Sequence, residues 1–367
     1  MSHKGPEIVV IGAGIIGASI AWHLTRSGAR VTILEAGEPG GVATPNSFSW
    51  INSNYHFAQD YFALRHHSMG EWRRLSTALP QLPVSLSGSI YLPAQGLDLE
   101  EFVARNTAWG YRIEIIDGNR VKRLEPNLTL ETEVAAQAHD EGAVEAQEVA
   151  ELLTAAAVDE GAELRTGARV DGFAFEDGCI LGVRSGDEMI SADEVVVAAG
   201  AATPELVAEA GYDLPLSTPP GLLAHTRPVS RILNGLVLAE GLHMRQKANG
   251  QILAGSDFQG AELADDPQSG GEELLRRLRA ALNTEEPLAL ERTTTGYRPT
   301  PADGLPVIGR PPGVSGLYVA VMHSGVTLCP AVGAMASEEL LTGNRHGLLA
   351  PFGPERFLGA PLASARV

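Results

Sequence analysis

Cysteine and long apolar runs are both scarce in this sequence. Its 367 residues include two cysteines, Cys179 and Cys329, too few for a disulfide framework or a cysteine-rich zinc site. No apolar run reaches the ~18 residues that a membrane-spanning helix needs. An apolar stretch at 8–20 is interrupted by glycines and is followed by no cleavage site, which argues against a secretory signal. We therefore expect a cytoplasmic protein without a membrane span.

Positive charge is also scarce. Lys and Arg number 27 against 45 Asp and Glu, which gives a formal net charge of −18. A surface this acidic repels phosphate backbones and anionic lipid head groups, so nucleic acid and membranes are poor candidates as partners. The same charge is also explained by simple solubility. With 44% hydrophobic residues, the chain is long enough for roughly two globular domains.

Glycine, in contrast, is abundant at 41 residues, and three glycines form a motif. The run EIVVI (7–11) predicts a buried strand, GAGIIG (12–17) a turn, and the apolar spacing after it a helix that ends by Gly28. A second strand, RVTILE (30–35), ends in an acid 18 residues after the motif. This succession is typical of a dinucleotide-binding site.

Each residue type in the motif has a physical role. Gly12 permits the tight turn, Gly14 lets the backbone approach a diphosphate, and Gly17 allows the helix to pack closely on the strand. The free N–H groups of the helix N-terminus favour the diphosphate. Glu35 can accept hydrogen bonds from ribose hydroxyls, which argues against NADP. The motif alone does not distinguish NAD from FAD.

The α/β pattern of the N-terminus returns twice. A helix at 147–159 and a strand at 194–198 form the second stretch, and a strand at 316–321 with a helix near 330–341 forms the third. Pro330 suits the first turn of that last helix. We predict an α/β (α+β) fold in which a Rossmann-like nucleotide-binding domain (1–50, 141–214 and 293–367) is interleaved with a mixed β-sheet substrate domain (51–140 and 215–292).

Five segments occur in the order and spacing of a known family. They are GGVATPNSFSW (40–50), the segment 140–170, ADEVVVAAGAAT (192–203), GYRPTPADGLPVIG (296–309) and HSGVTLCPAVG (323–333). In these segments the sequence resembles the D-amino-acid oxidase (DAO) family of FAD-dependent oxidoreductases, which includes glycine oxidase, sarcosine oxidases and D-amino-acid dehydrogenases. The resemblance spans nearly the whole chain and is loosest in the substrate domain. It implies FAD as the cofactor.

The resemblance also implies which residues surround FAD. The glycine motif would bind its ADP half, the loop that follows position 42 would border the flavin ring, and the turn at 324–327 would lie at the pyrimidine edge. A helix N-terminus at that turn would stabilise the anion formed on reduction, although a plain packing turn is the alternative. The predicted cofactor-binding residues are Gly12, Gly14, Ile15, Ile16, Gly17, Glu35, Ala36, Ala43, Thr44, Ser47, Ser49, Trp50, Val170, Ala199, Gly200, Ser324, Gly325, Val326 and Thr327.

Three residues are predicted at the reacting end. Arg298 lies in the segment that resembles the family's substrate-carboxylate site, and a guanidinium grips a carboxylate through two parallel hydrogen bonds. An ion pair with Asp303 is the structural alternative for this arginine. Tyr297 could donate a hydrogen bond or belong to the core, and His323 could face the substrate or be a polar core residue. His56 is a weaker pocket candidate, and no metal site is predicted.

Two positions depart from the sarcosine oxidases. Thr295 stands where those enzymes link flavin through a cysteine, so we expect non-covalent FAD, although Cys329 lies near the predicted flavin. Thr327 replaces a lysine that promotes the reaction with oxygen, which leaves oxidase and dehydrogenase both open.

These observations predict an FAD-dependent enzyme that oxidises the C–N bond of a small amino acid or secondary amine. Hydride would pass to the flavin, and O₂ or another electron acceptor would reoxidise it. The alternatives are an NAD-dependent dehydrogenase and a flavin-binding subunit of a hetero-oligomeric amine dehydrogenase without independent activity. The sequence is also compatible with a homo-oligomer.

Overall fold

The computed structural model describes residues 5–54, 58–256 and 266–358. The α-helices in these ranges are α1 (Ile15–Arg26), α2 (Gln59–Ala78), α3 (Leu99–Ala108), α4 (Gly118–Leu124), α5 (Ala146–Asp159), α6 (Thr203–Glu209), α7 (Pro267–Ala281) and α8 (Gly325–Thr342). Within the described part of the chain, no helix is long and apolar enough to cross a membrane.

A six-stranded sheet has the order β21-β22-β13-β1-β2-β9. Its strands are β1 (Glu7–Ile11), β2 (Arg30–Leu34), β9 (Glu163–Arg165), β13 (Glu194–Val197), β21 (Val307–Gly309) and β22 (Leu317–Val321). All neighbouring strands are parallel except β21 and β22, which are antiparallel. The sheet is therefore of the kind that the N-terminal motif predicts.

The first strand of this sheet is buried on both faces. Ile8 and Val10 pack into the core that contains α1, α5 and α8, whereas Val9 and Ile11 pack into a second core on the opposite face. That second face is covered by a three-stranded sheet of β10 (Gly172–Glu176), β11 (Cys179–Ser185) and β12 (Glu188–Ser191). Burial on both faces explains why the run EIVVI is continuously apolar.

An eight-stranded sheet forms the second part of the molecule, in the order β19-β15-β18-β17-β16-β5-β7-β6. Its neighbours are antiparallel except for the parallel pair of β5 and β16. Helix α7 packs on one face through Leu274, Leu275 and Leu278. The strands are β5 (Ser89–Tyr91), β6 (Ile113–Asp117), β7 (Val134–Ala138), β15 (Pro220–Thr226), β16 (Leu236–Ala239), β17 (Leu242–Gln246), β18 (Ile252–Gly255) and β19 (Leu290–Tyr297).

Two small sheets and one ion-pair network connect these parts. The small sheets are β3-β8-β4 (Trp50–Ile51, Gly142–Val144 and Val84–Ser85) and β14-β20 (Leu216–Ser217 and Thr300–Pro301). Arg245 on β17 donates to the Phe48 carbonyl and to Glu145, each at 2.8 Å, and Lys247 approaches Glu145 to 2.6 Å. Because Glu145 lies at the N-terminus of α5, this network ties the eight-stranded sheet to the helices of the other.

The fold confirms the predicted class, with one local difference. Helix α8 begins at Gly325, so Pro330 lies in its second turn and not in its first. Proline has no N–H, so it leaves the carbonyl of Val326 without its donor inside the helix. The indole of Trp72, on α2, donates to that carbonyl at 3.1 Å. The bond from a neighbouring helix explains how proline is accommodated there. The predicted domain boundaries stay a prediction, and β19 spans the one placed at 293.

Candidate functional site

A cavity of about 790 Å³ lies where the carboxyl ends of the parallel strands approach the eight-stranded sheet. Its wall is formed by the turns after β1, β13 and β22, by the loop 43–50, and by strands β15, β17, β18 and β19. Ligands of α/β sheets bind at this edge. Among the described residues, every one predicted from the sequence to contact a cofactor or the substrate lines this cavity, except Gly17.

The glycine turn is built for close approach of backbone segments. Gly12 has a φ of +101°, and a Cβ there would lie 2.6 Å from the carbonyl oxygen of Ala198. A Cβ on Gly17 would lie 1.9 Å from the carbonyl oxygen of Gly12, so Gly17 serves the packing of α1 on the turn. Glu35 accepts hydrogen bonds from the N–H groups of Ala13 and Gly37, at 2.8 and 2.9 Å. Its carboxylate therefore braces the turn and keeps lone pairs for a ligand.

The loop 43–50 is held in one conformation by its own side chains. Ser49 adopts φ +62°, a left-handed conformation that is unusual for a residue with a Cβ. Ser47 stabilises it by accepting from the Ser49 N–H at 3.0 Å and, through its carbonyl, from the Ser49 hydroxyl at 3.1 Å. Thr44 accepts from the N–H of Ile15 at 3.3 Å, which fastens the loop to the start of α1.

A buried carboxylate holds the end of this loop. Glu141 is fully buried and accepts from the indole of Trp50 at 2.8 Å. It also accepts from the hydroxyl groups of Tyr91 and Tyr111, each at 2.7 Å, and from Ser89 and Asn54. Burial raises the pKa of Glu141, while these hydrogen bonds oppose the rise. The cluster fixes the Trp50 ring in the cavity wall, and nothing in the sequence pattern around Glu141 indicated it.

The last turn of the site, 324–327, joins the loop to α8. The hydroxyl of Thr327 donates to the Trp50 carbonyl at 3.2 Å and accepts from the N–H of Asn52 at 3.3 Å. The first N–H groups of this 18-residue helix have no acceptor within the helix, and the turn lines the cavity. The helix therefore presents a partial positive charge to a ligand there. Val170, Ala199 and Gly200 line the cavity as well.

The predicted reacting residues lie together in this cavity. The guanidinium of Arg298 occupies the space that Gly221 leaves open, since a Cβ on Gly221 would lie 2.0 Å from its Nη2. Asp303, the alternative partner for Arg298, forms its ion pair with Arg356 at 2.6 Å. Tyr297 is 49% exposed, so its interpretation as a core residue is wrong.

Histidines contribute to the site as well. His323 is half-buried, and its Nδ1 lies 3.4 Å from the Ser324 hydroxyl. His243, on β17, also lines the cavity and lies edge-on to the ring of Phe48, with 6.5 Å between centroids. Sequence reasoning missed His243 because it lies in an ordinary strand pattern. His56 lies outside the described residues.

The structure gives Cys329 a packing role. It is fully buried, its thiol contacts the carbonyl of Ile15 at 3.5 Å, and it does not line the cavity. Burial raises its pKa to about 12, so the nucleophilic thiolate is suppressed. Among the described residues, no three His, Cys, Asp or Glu side chains are grouped as a metal site requires.

The residues present fit FAD. The cavity is in the upper part of the roughly 300–1,000 Å³ usual for ligand sites, as a dinucleotide requires. A glycine turn at a helix N-terminus suits a diphosphate, Glu35 suits a ribose, and the space between the loop 43–50 and the turn 324–327 suits a flat ring. The fold and the cavity thus define a protein with a dinucleotide-binding site.

Comparison with known proteins gives the family. The family model for DAO, FAD dependent oxidoreductase, matches residues 7–339, so the chain belongs to this family. Glycine oxidase of Pseudomonas putida is 28% identical, with 96% of this chain and 99% of that protein covered. Two solved structures share the fold at 24% identity and 96% coverage of this chain. They are glycine oxidase from Geobacillus kaustophilus (TM-score 0.87, 100% of that chain) and L-proline dehydrogenase from P. horikoshii (TM-score 0.86, 98% of that chain).

Membership confirms the predicted family and the predicted use of FAD by an oxidoreductase. It does not favour an NAD-dependent dehydrogenase or a flavin-binding subunit without activity of its own.

Proposed function

We propose that this protein oxidises the C–N bond of a small amino acid or secondary amine that carries a carboxylate. The observation that carries the proposal is the position of Arg298, whose guanidinium shares one cavity with the dinucleotide turn. The names of the relatives, glycine oxidase among them, agree with a substrate that has both an amine and a carboxylate.

Arg298 would bind and orient the substrate. A guanidinium binds a carboxylate through two parallel hydrogen bonds, which fixes both the position and the rotation of the substrate. The guanidinium lies against the backbone of Gly221, in space that a side chain at this position would take. FAD, when bound, supplies the hydride acceptor.

The other residues would shape the compartment in which the substrate lies. Trp50 and Leu223 give it apolar surface that excludes water from the amine. His323 and His243 lie in the same cavity and can accept the amine proton, because a neutral amine is the form that loses hydride. Tyr297, half exposed, would border the entrance.

Substitution of Arg298 tests this function. Loss of a charge-assisted bidentate pair costs about 2–5 kcal/mol, so Arg298→Ala should raise KM for carboxylate substrates by roughly thirtyfold or more. FAD content should stay normal, and Arg298→Lys should recover part of the affinity. The measurement is flavin bleaching without oxygen, over a panel of D-, L- and N-methyl amino acids. A wild-type protein that binds FAD but is bleached by none of them would disprove the proposal.

We also propose that FAD is held without a covalent bond, since Thr295 offers no thiol and Cys329 is buried away from the cavity. Acid precipitation should release all of the yellow colour into the supernatant. The electron acceptor, a homo-oligomeric state and a cytoplasmic location stay predictions. Two free cysteines agree with a reducing compartment.

A further inference from the structure

One buried cation near the site has no use in the proposed reaction. Arg65, on α2, is 3% exposed and lines the cavity. Its Nε donates to the Asn52 carbonyl at 3.1 Å, and its Nη2 donates to the Asn52 side-chain oxygen. Among residues 5–54, 58–256 and 266–358, no carboxylate lies within ion-pair distance of Arg65. A guanidinium is permanently charged in proteins, so its positive charge is only solvated by neutral oxygens.

Such a charge requires an anion. Buried charges in proteins are paired, because the loss of hydration is otherwise uncompensated. The other buried arginine of this region, Arg245, follows that rule through Glu145 at 2.8 Å. Arg65 differs in that its open side is the cavity, so its counter-ion has to come from a ligand.

The contacts of Arg65 place this anion at the N-terminus of α8. Asn52, which holds the guanidinium, donates its N–H to Thr327 at the inner end of the turn 324–327. The guanidinium carbon also lies 5.4 Å from the ring centre of Tyr61, on the same helix. Burial raises the pKa of Tyr61, and the charge of Arg65 opposes that rise. A full charge and a helix N-terminus thus line the same cavity and are connected through Asn52.

Two ligand anions already have other partners. The diphosphate belongs to the glycine turn at the start of α1, and the substrate carboxylate belongs to Arg298 at the end of β19. The part of the ligands that is left for the turn 324–327 is the flavin ring. When a substrate amine gives up hydride, two electrons and one proton enter the ring at N5, so the ring gains one negative charge.

We propose that Arg65 is the counter-ion of the reduced flavin, and that it raises the reduction potential of the cofactor jointly with the N-terminus of α8. The inference rests on the proposed function in two respects: FAD occupies this cavity, and Arg298 takes the substrate carboxylate. Arg65 acts on the charge of the ring and does not bind the substrate.

The test is the reduction potential of the FAD-loaded protein, measured by dye equilibration without any amine. Arg65→Met and Arg65→Gln remove the charge, and Arg65→Lys keeps it. Arg279→Met, at an exposed arginine, is the control for loss of an arginine away from the cavity. Arg279 also donates to a carbonyl, that of Leu288, and does not line the cavity. In the neutral variants, the equilibrium constant for reduction of the flavin should fall at least about tenfold. This fall lowers a two-electron potential by about 30 mV. The lysine variant and the control should stay near wild type.

Sulfite gives a second readout on the oxidised protein. Its sulfur lone pair forms a bond to flavin N5, and an electron pair moves into the ring, which then carries the added negative charge. The neutral variants should therefore bind sulfite roughly tenfold more weakly than wild type. KM for amino acids should change little.

Unchanged potential and sulfite affinity in neutral variants with full FAD content would overturn the proposal. A rise in KM without a change in potential would also overturn it and would assign Arg65 to the substrate. If neither neutral variant retains FAD, Arg65→Lys decides, since it must retain FAD at a near wild-type potential. Because the measurements of potential and sulfite affinity use no amine, failure of the proposed amine oxidation would leave them interpretable.

Discussion

The six-stranded sheet begins with a local strand–helix–strand unit, whereas the eight-stranded sheet joins two distant stretches of the chain, which contain β5 to β7 and β15 to β19. In the first, β1 pairs with β2, which follows it after a single helix, and the pairing is parallel. In the second, β5 (Ser89–Tyr91) pairs with β16 (Leu236–Ala239), nearly 150 residues further along the chain. The cavity lies between them. The first contributes the glycine turn together with Glu35 and His323, and the second contributes Arg298, Tyr297 and His243.

Because the two sheets are built differently, they are suited to different tasks at the site. A local strand–turn–helix unit positions backbone N–H groups, because its geometry follows from a few consecutive residues. A sheet assembled from distant segments can change its side chains without disturbing that unit. Substitutions that disturb the backbone should therefore impair the cofactor half of the site, and substitutions that displace side chains should impair the substrate half.

The largest effect is expected at Gly12. In Gly12→Ala, the new Cβ would lie 2.6 Å from the carbonyl oxygen of Ala198, at a residue whose φ is +101°. We expect the free energy of unfolding to fall by about 4 kcal/mol and FAD binding to be lost. Gly161→Ala is the matched control, with a φ of +108° and open space, and it should lose only about 1 kcal/mol. Urea unfolding and FAD titration measure both. Equal losses in the two variants would show that only backbone strain matters.

The second-largest effect is expected in the ion-pair network that connects the two sheets. Arg245→Met removes the buried arginine that holds Phe48 and Glu145, and it should cost about 3 kcal/mol in unfolding free energy. Lys247→Met removes the more exposed partner of the same carboxylate and should cost about 1 kcal/mol or less. Thermal unfolding with FAD bound checks the order. A reversed order would mean that Lys247 carries the connection.

A smaller and more selective effect is expected at Gly221. The methyl group of Gly221→Ala would displace the Arg298 guanidinium, so KM for carboxylate substrates should rise about tenfold while FAD binding stays normal. Gly347→Ala, in open space, should change neither. Steady-state kinetics and flavin absorbance separate the two quantities. Lost FAD in Gly221→Ala would contradict the division between backbone and side-chain tasks.

The smallest effect concerns pH and compares one histidine from each region. Burial lowers the pKa of His23, on α1, and of His225, on β15, to about 4. The unfolded chain binds a proton near pH 6.5 and the folded one does not, so stability falls as the pH drops below 6.5 towards 4. Each histidine should remove about 1 kcal/mol between pH 7 and 5.5. In His23→Gln and His225→Gln, the urea midpoint should depend less on pH over this interval. An unchanged pH dependence would refute the assignment.

The sequence was most informative where structure follows from neighbouring residues. The strand, turn, helix and strand between Glu7 and Leu34 lie where the pattern predicts them, because each step depends on adjacent residues. That Arg298 and His323 line the cavity could be expected only from the resemblance to a family. Even so, the roles of individual residues at the site stay predictions.

The rest depends on contacts between distant segments. Arg65 looks like a surface residue of a charged helix, yet it is buried and held by Asn52 from another segment. Glu141 follows an aspartate in a polar stretch, and its donors come from three separate segments. Pro330 could be placed in its helix only with knowledge of Trp72. None of these contacts leaves a periodic signal in the sequence.

The strand order has a consequence for synthesis of the protein. β1 lies between β2 and β13, and its neighbour on the β13 side is 186 residues away in the chain. At about 5–20 residues per second, a ribosome needs roughly 10–40 s to make that interval. During this time the apolar β1 lacks one of its two partners, and the turn 324–327 that completes the cavity is made later still. The cofactor site is thus one of the last parts to form, although its glycine motif is translated long before.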